Sequence, residues 1–288
     1  MNKRTKLISA WLLPMALTLG ACSQDDDQPR VQEQPSVLNV SVRDKGFDYD
    51  GPLTRISYSE ATTTLQAGDT IGVYVARDGA FVERIVGETG DLMANKPFVY
   101  DGQGWRQVSL VEGDTETKDL LYYPGATYFA YYPYNATEQY EPNPAATDTA
   151  EDFFATKIDA WYPSQHQSTP LAYRRNDLMV ARGVLEASSL TFTLIHKMAL
   201  VQLGYDKTTH TIANFQPWEI TSNQHRLLVK PLKEYWITGS IYSSATHSVA
   251  NKTGTWDVHV LAGPYSDPEN ATDDTAMRPG HYRKYTLN

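Results

Sequence analysis

Leu190-Thr191-Phe192-Thr193-Leu194 alternates apolar and polar residues without a break, which is the period of a strand with one face buried. The same period returns in Leu38-Asn39-Val40-Ser41-Val42. Ile71 to Val75 follows Gly68-Asp69-Thr70, a turn signal feeding a strand, and Phe98-Val99-Tyr100 is separated from Trp105 by the turn residues Asp101 to Gly104. Two aromatic runs, Leu120 to Tyr123 and Thr127 to Tyr132, are split by Pro124-Gly125. Apolar runs at Asp177 to Ala181 and Met198 to Leu203 continue the style, as do Ile237, Ile241, Trp256, Val258, Val260, Tyr282, Tyr285 and Leu287. With 19 Tyr and 6 Trp, the composition also favours strands over helices. Many short strands punctuated by turns predict an all-β fold of β-sandwich type, and the length admits two such domains. Residues 135–170, rich in Asn, Pro, Ala, Thr and Asp, read as a long surface excursion with one short helical piece. The expected domains are therefore residues 36–187 and 188–288, divided after that excursion.

What precedes the first strand is an address. Lys3, Arg4 and Lys6 are followed by a largely apolar stretch from Leu7 to Leu19, then by Gly20-Ala21-Cys22. A basic start, an apolar run of about a dozen residues and small residues before the cut make an export signal. A spanning helix would need about 20 apolar residues. Leu19, three places before Cys22, makes the junction resemble a bacterial lipobox. Residues 1–21 are then a lipoprotein signal peptide, and the Cys22 thiol takes a diacylglycerol. At about 0.8 kcal/mol per buried methylene, two or three acyl chains tether a protein stably to a membrane. Residues 22–35 form a flexible leash that opens with Ser23-Gln24-Asp25-Asp26-Asp27. Such an acidic run serves as a solvated spacer, and it also looks like the surface-export signal of some diderm lipoproteins. The expected place is the outside of the outer membrane.

Charge and chemistry narrow the function. The whole chain carries −9; without Lys3, Arg4 and Lys6 there are 22 basic against 34 acidic residues, a net −12. That balance argues against nucleic acid and against electrostatic adhesion to anionic lipid. The single cysteine is consumed by the anchor, which leaves no disulfide or thiol chemistry. The seven His are scattered with no zinc spacing, and neither a nucleophile elbow nor a phosphate loop occurs. No cofactor, metal site or catalytic residue is therefore expected, and the chain does not read as an enzyme. Carboxylate pairs of the glycosidase kind arise by chance among 34 acidic residues. Asp273-Asp274 beside Asn270 reads as a solvated loop, and His196, the next position of the alternating face, as a hydrogen-bonded structural histidine.

A series of short pieces, in order, resembles the fimbrillin-like lipoproteins, or type V pilins. The pieces are Thr54-Arg55, Gly68-Asp69-Thr70-Ile71-Gly72-Val73-Tyr74, Trp105, Leu121-Tyr122-Tyr123-Pro124 and Phe129-Ala130-Tyr131-Tyr132-Pro133-Tyr134. Asp177 to Ala181 and Leu190 to Ala199 follow, with Arg278-Pro279-Gly280-His281-Tyr282 as a late strand start. The resemblance covers about residues 50–205. It implies two tandem transthyretin-like β-sandwich domains and a subunit exported as a lipoprotein. An arginine-specific protease then removes the first strand, and a strand of another fimbrillin subunit fills the groove, a form of β-augmentation.

Mapped onto this chain, Val37 to Val42 is the displaceable strand, with Leu38, Val40 and Val42 on the face that fills the groove. Arg55, followed by Ile56, is the candidate cleavage point, on a stretch opened by Asp48-Tyr49-Asp50-Gly51-Pro52. Arg43 is the second candidate. Only eight residues follow Gly280, fewer than the strand-donating segments of stalk pilins. A tip or accessory subunit is therefore expected, with adhesion to a host or bacterial surface ligand as its service and the fimbrium as its final place. The alternative is a monomeric surface glycan-binding lipoprotein, with Trp161, Trp218 or Trp236 as a stacking platform.

Overall fold

A computed structural model describes residues 36–49, 64–86, 89–109, 117–137, 139–204, 210–212, 218–221, 224–231, 235–241, 255–260 and 277–286. The first strands are β1 (Val37–Asp44), β2 (Asp48–Tyr49), β3 (Thr70–Arg77), β4 (Ala80–Phe81), β5 (Glu83–Val86) and β6 (Thr89–Leu92). Then come β7 (Lys96–Tyr100), β8 (Trp105–Val108), β9 (Thr117–Lys118), β10 (Leu120–Leu121) and β11 (Thr127–Tyr132). Three short helices intervene, α1 (Ala150–Phe153), α2 (Ala155–Ala160) and α3 (Pro170–Arg175). The later strands are β12 (Met179–Glu186), β13 (Ser189–His196), β14 (Ala199–Gly204), β15 (His210–Ile212) and β16 (Trp218–Thr221). Last are β17 (Gln224–Val229), β18 (Tyr235–Ile241), β19 (Thr255–Val260) and β20 (His281–Thr286). The fold is all-β, of the sandwich class expected from the alternation.

The large sheet runs β10-β1-β13-β12-β11-β3-β7-β8-β9, with β4 on β3. A second sheet runs β16-β17-β14-β20-β2, and β15-β18-β19 and β5-β6 form smaller ones. The central strands of the large sheet are buried on both faces, which is why Ile71 to Ala76 and Tyr128 to Tyr132 read as continuous apolar runs. Ile71, Val73, Val75, Tyr128, Ala130 and Tyr132 face one core, together with Leu190, Phe192 and Leu194. Tyr74, Ala76, Phe129 and Tyr131 face the other, where they meet Met198, Leu200, Leu228 and Tyr282 of the second sheet's side. The described residues from Ser36 onward accordingly belong to one compact unit. Tyr128 shows how the aromatic runs are used: its hydroxyl accepts from Tyr123 N at 2.7 Å and donates to Leu121 O at 3.1 Å, pinning the Tyr-Tyr-Pro bend.

Two expectations are corrected. Position 187–188 is not where the sheets divide. It falls on the turn between β12 and β13, which pair from Met179↔His196 to Glu186↔Ser189 within the large sheet. Ala187, at φ +53°, closes that turn, and after it the chain stays in the large sheet through β13 before entering the second sheet at β14. Residues 135–170 are also not a surface excursion throughout. Phe153 lies flat on Phe129, ring centroids 3.8 Å apart and planes at 6°, and Phe154 is fully buried beside it. Thr149 caps α1 by accepting from Asp152 N at 3.0 Å. Gln167 continues the backbone ladder of β17 with its amide, donating to Leu228 O at 2.9 Å and accepting from Leu228 N at 2.8 Å. The polar composition hid a segment that fills the space between two sheets.

Candidate functional site

β1 is held unevenly. On one side it pairs in parallel with β13 along six residues, Asn39↔Ser189 to Asp44↔Leu194. On the other it pairs with β10 only at Val37↔Leu121 and Leu38↔Leu120. Beyond Leu38 that second edge faces a cavity of about 440 Å³, lined by Val40, Val42, Leu65, Tyr100 and Trp105 among others. Parallel ladders are slightly weaker per residue than antiparallel ones, so β1 is joined by a weak ladder on one side and a short one on the other. Its side chains nevertheless bury an apolar face. Leu38 is 4% exposed, and Val40 and Val42 pack half-buried against the core that holds Leu190, Phe192 and Leu194. Val37, Asn39, Ser41 and Arg43 face outward and are exposed.

The inward face of β1 ends on a charge. Asp44 stands opposite Leu194, and its Oδ1 lies 2.7 Å from His196 Nε2. The contact is an ion pair between β1 and the end of β13. His196 Nδ1 meets Asp177 Oδ1 at 2.9 Å in a hydrogen bond. The imidazole and Asp177 are fully buried, and Asp44 nearly so. Burial alone would lower the His196 pKa, but Asp177, by charge and hydrogen bond, and then Asp44 outweigh it and push the ring up to about 9. His196 is thus a buried imidazolium between two carboxylates. Tyr173 of α3 lies next to Asp177 and Asp44, Arg226 of β17 is beside Tyr173, and burial keeps the Tyr173 phenol neutral.

The residues after β1 close this centre. Gly46 N donates to Asp44 Oδ1 at 2.7 Å, a local turn that fixes the carboxylate. Gly46, at φ +79°, lets the chain double back, and Phe47 then stacks on His196 with centroids 3.7 Å apart. β2 goes on to pair with β20, Asp48↔His281 and Tyr49↔Tyr282, so residues 37–49 are attached to both main sheets. Gly280 packs against the backbone of His196. It has φ +71°, and a Cβ there would sit 3.0 Å from His196 O.

The profile of the fimbrillin-like family matches residues 54–266, most of the chain. The chain belongs to the fimbrillin-like family. A Bacteroides ovatus protein named for the tip subunit of a fimbrium, Fim1C, is 26% identical over 302 aligned positions, covering 99% of this chain and 52% of that protein. A crystal structure of a fimbrial protein from Bacteroides ovatus superposes with a TM-score of 0.58 at 22% identity, over 88% of this chain and 49% of that one. This fimbrillin-like chain spans about half the length of both relatives.

Of the site residues expected from sequence, Val37, Leu38, Val40 and Val42 lie together on β1. Cys22, Arg55 and Ile56, and also Asp273 and Asp274, lie outside the described residues. Arg43 is exposed but sits within β1, where Arg43 pairs with Thr193. A protease needs an unpaired stretch of backbone, so a cut there would first require β1 to peel away. Trp161 lines a second cleft of about 360 Å³ with Tyr134, Leu171 and Arg175, while its own Nε1 donates to Asn176 O at 3.1 Å. Trp218 and Trp236 fall on β16 and β18. Among the described residues no group of three or more His, Cys, Asp or Glu is arranged to hold a metal.

Sequence reasoning missed Asp44, Phe47 and Asp177. Asp44 did carry a signal. It is the next inward position after Leu38, Val40 and Val42, just as His196 follows Leu190, Phe192 and Leu194. Two alternating faces that each end on an ionisable residue of opposite sign are a legible pair. Asp177, 19 residues from His196, has no such local mark.

Proposed function

We propose that this chain is a surface-exported, lipid-anchored fimbrial subunit, of tip or accessory type, that assembles by protease-triggered strand exchange and serves adhesion. The observation that carries the proposal is the setting of β1: an apolar face seated over a core, with a six-residue ladder along one edge and only two pairs along the other. Removing β1 would uncover Leu120, Leu190, Phe192 and Leu194, which are at most 1% exposed now. A groove of that kind, flanked by the unpaired edge of β13, is what β-augmentation fills. Arg55 as the cut frees Asp44, Phe47 and β2 along with β1, whereas a cut after Arg43 would leave them behind. Within this reading Cys22 carries the lipid in the outer membrane, and an N-terminal sandwich runs through His196 with the second beginning at Met198. A tip position is supported by the tip subunit to which the chain is similar.

Treating the purified chain with an arginine-specific protease tests the proposal. The cut chain is expected to join other fimbrillin subunits in multimers that resist detergent, while the Arg55→Ala variant stays single. A chain cut after Arg55 that releases its first strand yet remains single would refute strand exchange. The cleft at Trp161 supports a second reading, a monomeric glycan binder. Sugar affinity that disappears in Trp161→Ala, in a chain that never assembles, would favour it.

A further inference from the structure

The face that β1 covers is apolar except at one end, and there it presents a buried cation. Leu190, Phe192 and Leu194 line the path of the strand, and His196 closes it, fully buried and hydrogen-bonded to Asp177 through Nδ1. Its other nitrogen points at β1, where Asp44 Oδ1 stands 2.7 Å away. An occupant that filled the apolar path but lacked the acid would leave this N–H buried and without its carboxylate, and such groups weaken binding strongly. Charge complementarity at the end of the groove therefore selects among apolar strands that would otherwise fit alike.

We propose that the groove recognises its incoming strand by charge. A strand of another subunit that replaces β1 must run apolar-x-apolar-x-apolar-x-acid, with the acid opposite Leu194 and against His196, followed by a turn that lays an aromatic ring on the imidazole. This deepens, and rests on, the strand-exchange reading given above. The template is the chain's own Leu38-x-Val40-x-Val42-x-Asp44, with Gly46 making the turn and Phe47 the cover. The groups that face His196 from the surrounding elements are Asp44 of β1 and Asp177 ahead of β12, with Tyr173 of α3 beside those carboxylates and Arg226 of β17 next to Tyr173. None but Asp44 belongs to the departing segment, so the carboxylate that leaves with β1 is the one an occupant has to restore.

The test uses the full chain cut after Arg55 and labelled peptides spanning residues 37–49, offered at pH 7 to displace the retained strand. The unchanged peptide and an Asn39→Ser peptide, altered on the outward face, are expected to exchange equally well. An Asp44→Asn peptide keeps the acceptor for Gly46 N but not the charge, and is expected to compete at least tenfold less well. Competition within twofold of the unchanged peptide would overturn the proposal. Entry of no peptide at all would instead count against strand exchange. The uncut chain then decides on the charge itself: amide hydrogen exchange along β1 should quicken at least tenfold in Asp44→Asn relative to Asn39→Ser, and equal rates would overturn it there too.

Discussion

Replacing His196 with Ala is expected to destabilise the protein by about 3–5 kcal/mol, the usual result of removing one partner from a buried ion pair. The substitution leaves Asp44 and Asp177 facing one another across a fully buried space, two anions without the cation between them. For a chain of this size the loss corresponds to a fall in melting temperature of roughly 10 °C, measurable by calorimetry at pH 7. The pH dependence has a definite sign. His196 is raised from 6.5 to about 9 in the folded protein, so its contribution is complete below about pH 6.5. It is lost as the pH climbs toward 9, where the folded ring gives up its proton. The gap between the wild type and His196→Ala should therefore narrow across that window. A gap that widened on raising the pH would mean that the buried ring is neutral.

The second large effect is expected at Phe153. Its ring is 1% exposed, stacked on Phe129 at 3.8 Å, and meets Tyr74 edge-on at 5.7 Å. Phe153→Ala should cost about 3–5 kcal/mol through lost burial and the cavity left behind. The core around it includes Tyr74, Phe129 and Val180 from the large sheet together with Leu200, Leu228 and Tyr282 from the second. Thermal unfolding of the variant should therefore stay a single transition moved to lower temperature. Two separated transitions, with one unmoved, would contradict a core shared by both sheets.

These two residues also mark what the sequence allowed and what it withheld. The strand that ends on His196 was legible because Leu190, Phe192, Leu194 and His196 keep strict alternation, and the same held for Leu38, Val40 and Val42. A side-chain period of two is a local property, and burial of one face writes it into the sequence. Phe153-Phe154 was lost among polar neighbours, because two adjacent aromatics in a segment of Asn, Pro, Thr and Asp carry no period. The expected boundary fell on a hairpin for a similar reason, since Glu186, Ser188 and Ser189 mark a turn as readily as a linker. The pairing of β1 with β13 joins residues some 150 positions apart, and nothing in either segment names the other. Only the opposite charges at their ends, Asp44 and His196, hinted that the two faces belong together.

The central claim is that residues ahead of Ile56 are a removable part of the subunit. It is tested most directly by intact-mass and N-terminal analysis of the protein recovered from its native cell surface, beside an Arg55→Ala variant. The account predicts a terminus at Ile56 in the wild type that is absent from the variant. A lipidated Cys22 as the only terminus in both would contradict it and leave β1 a permanent strand of the sheet.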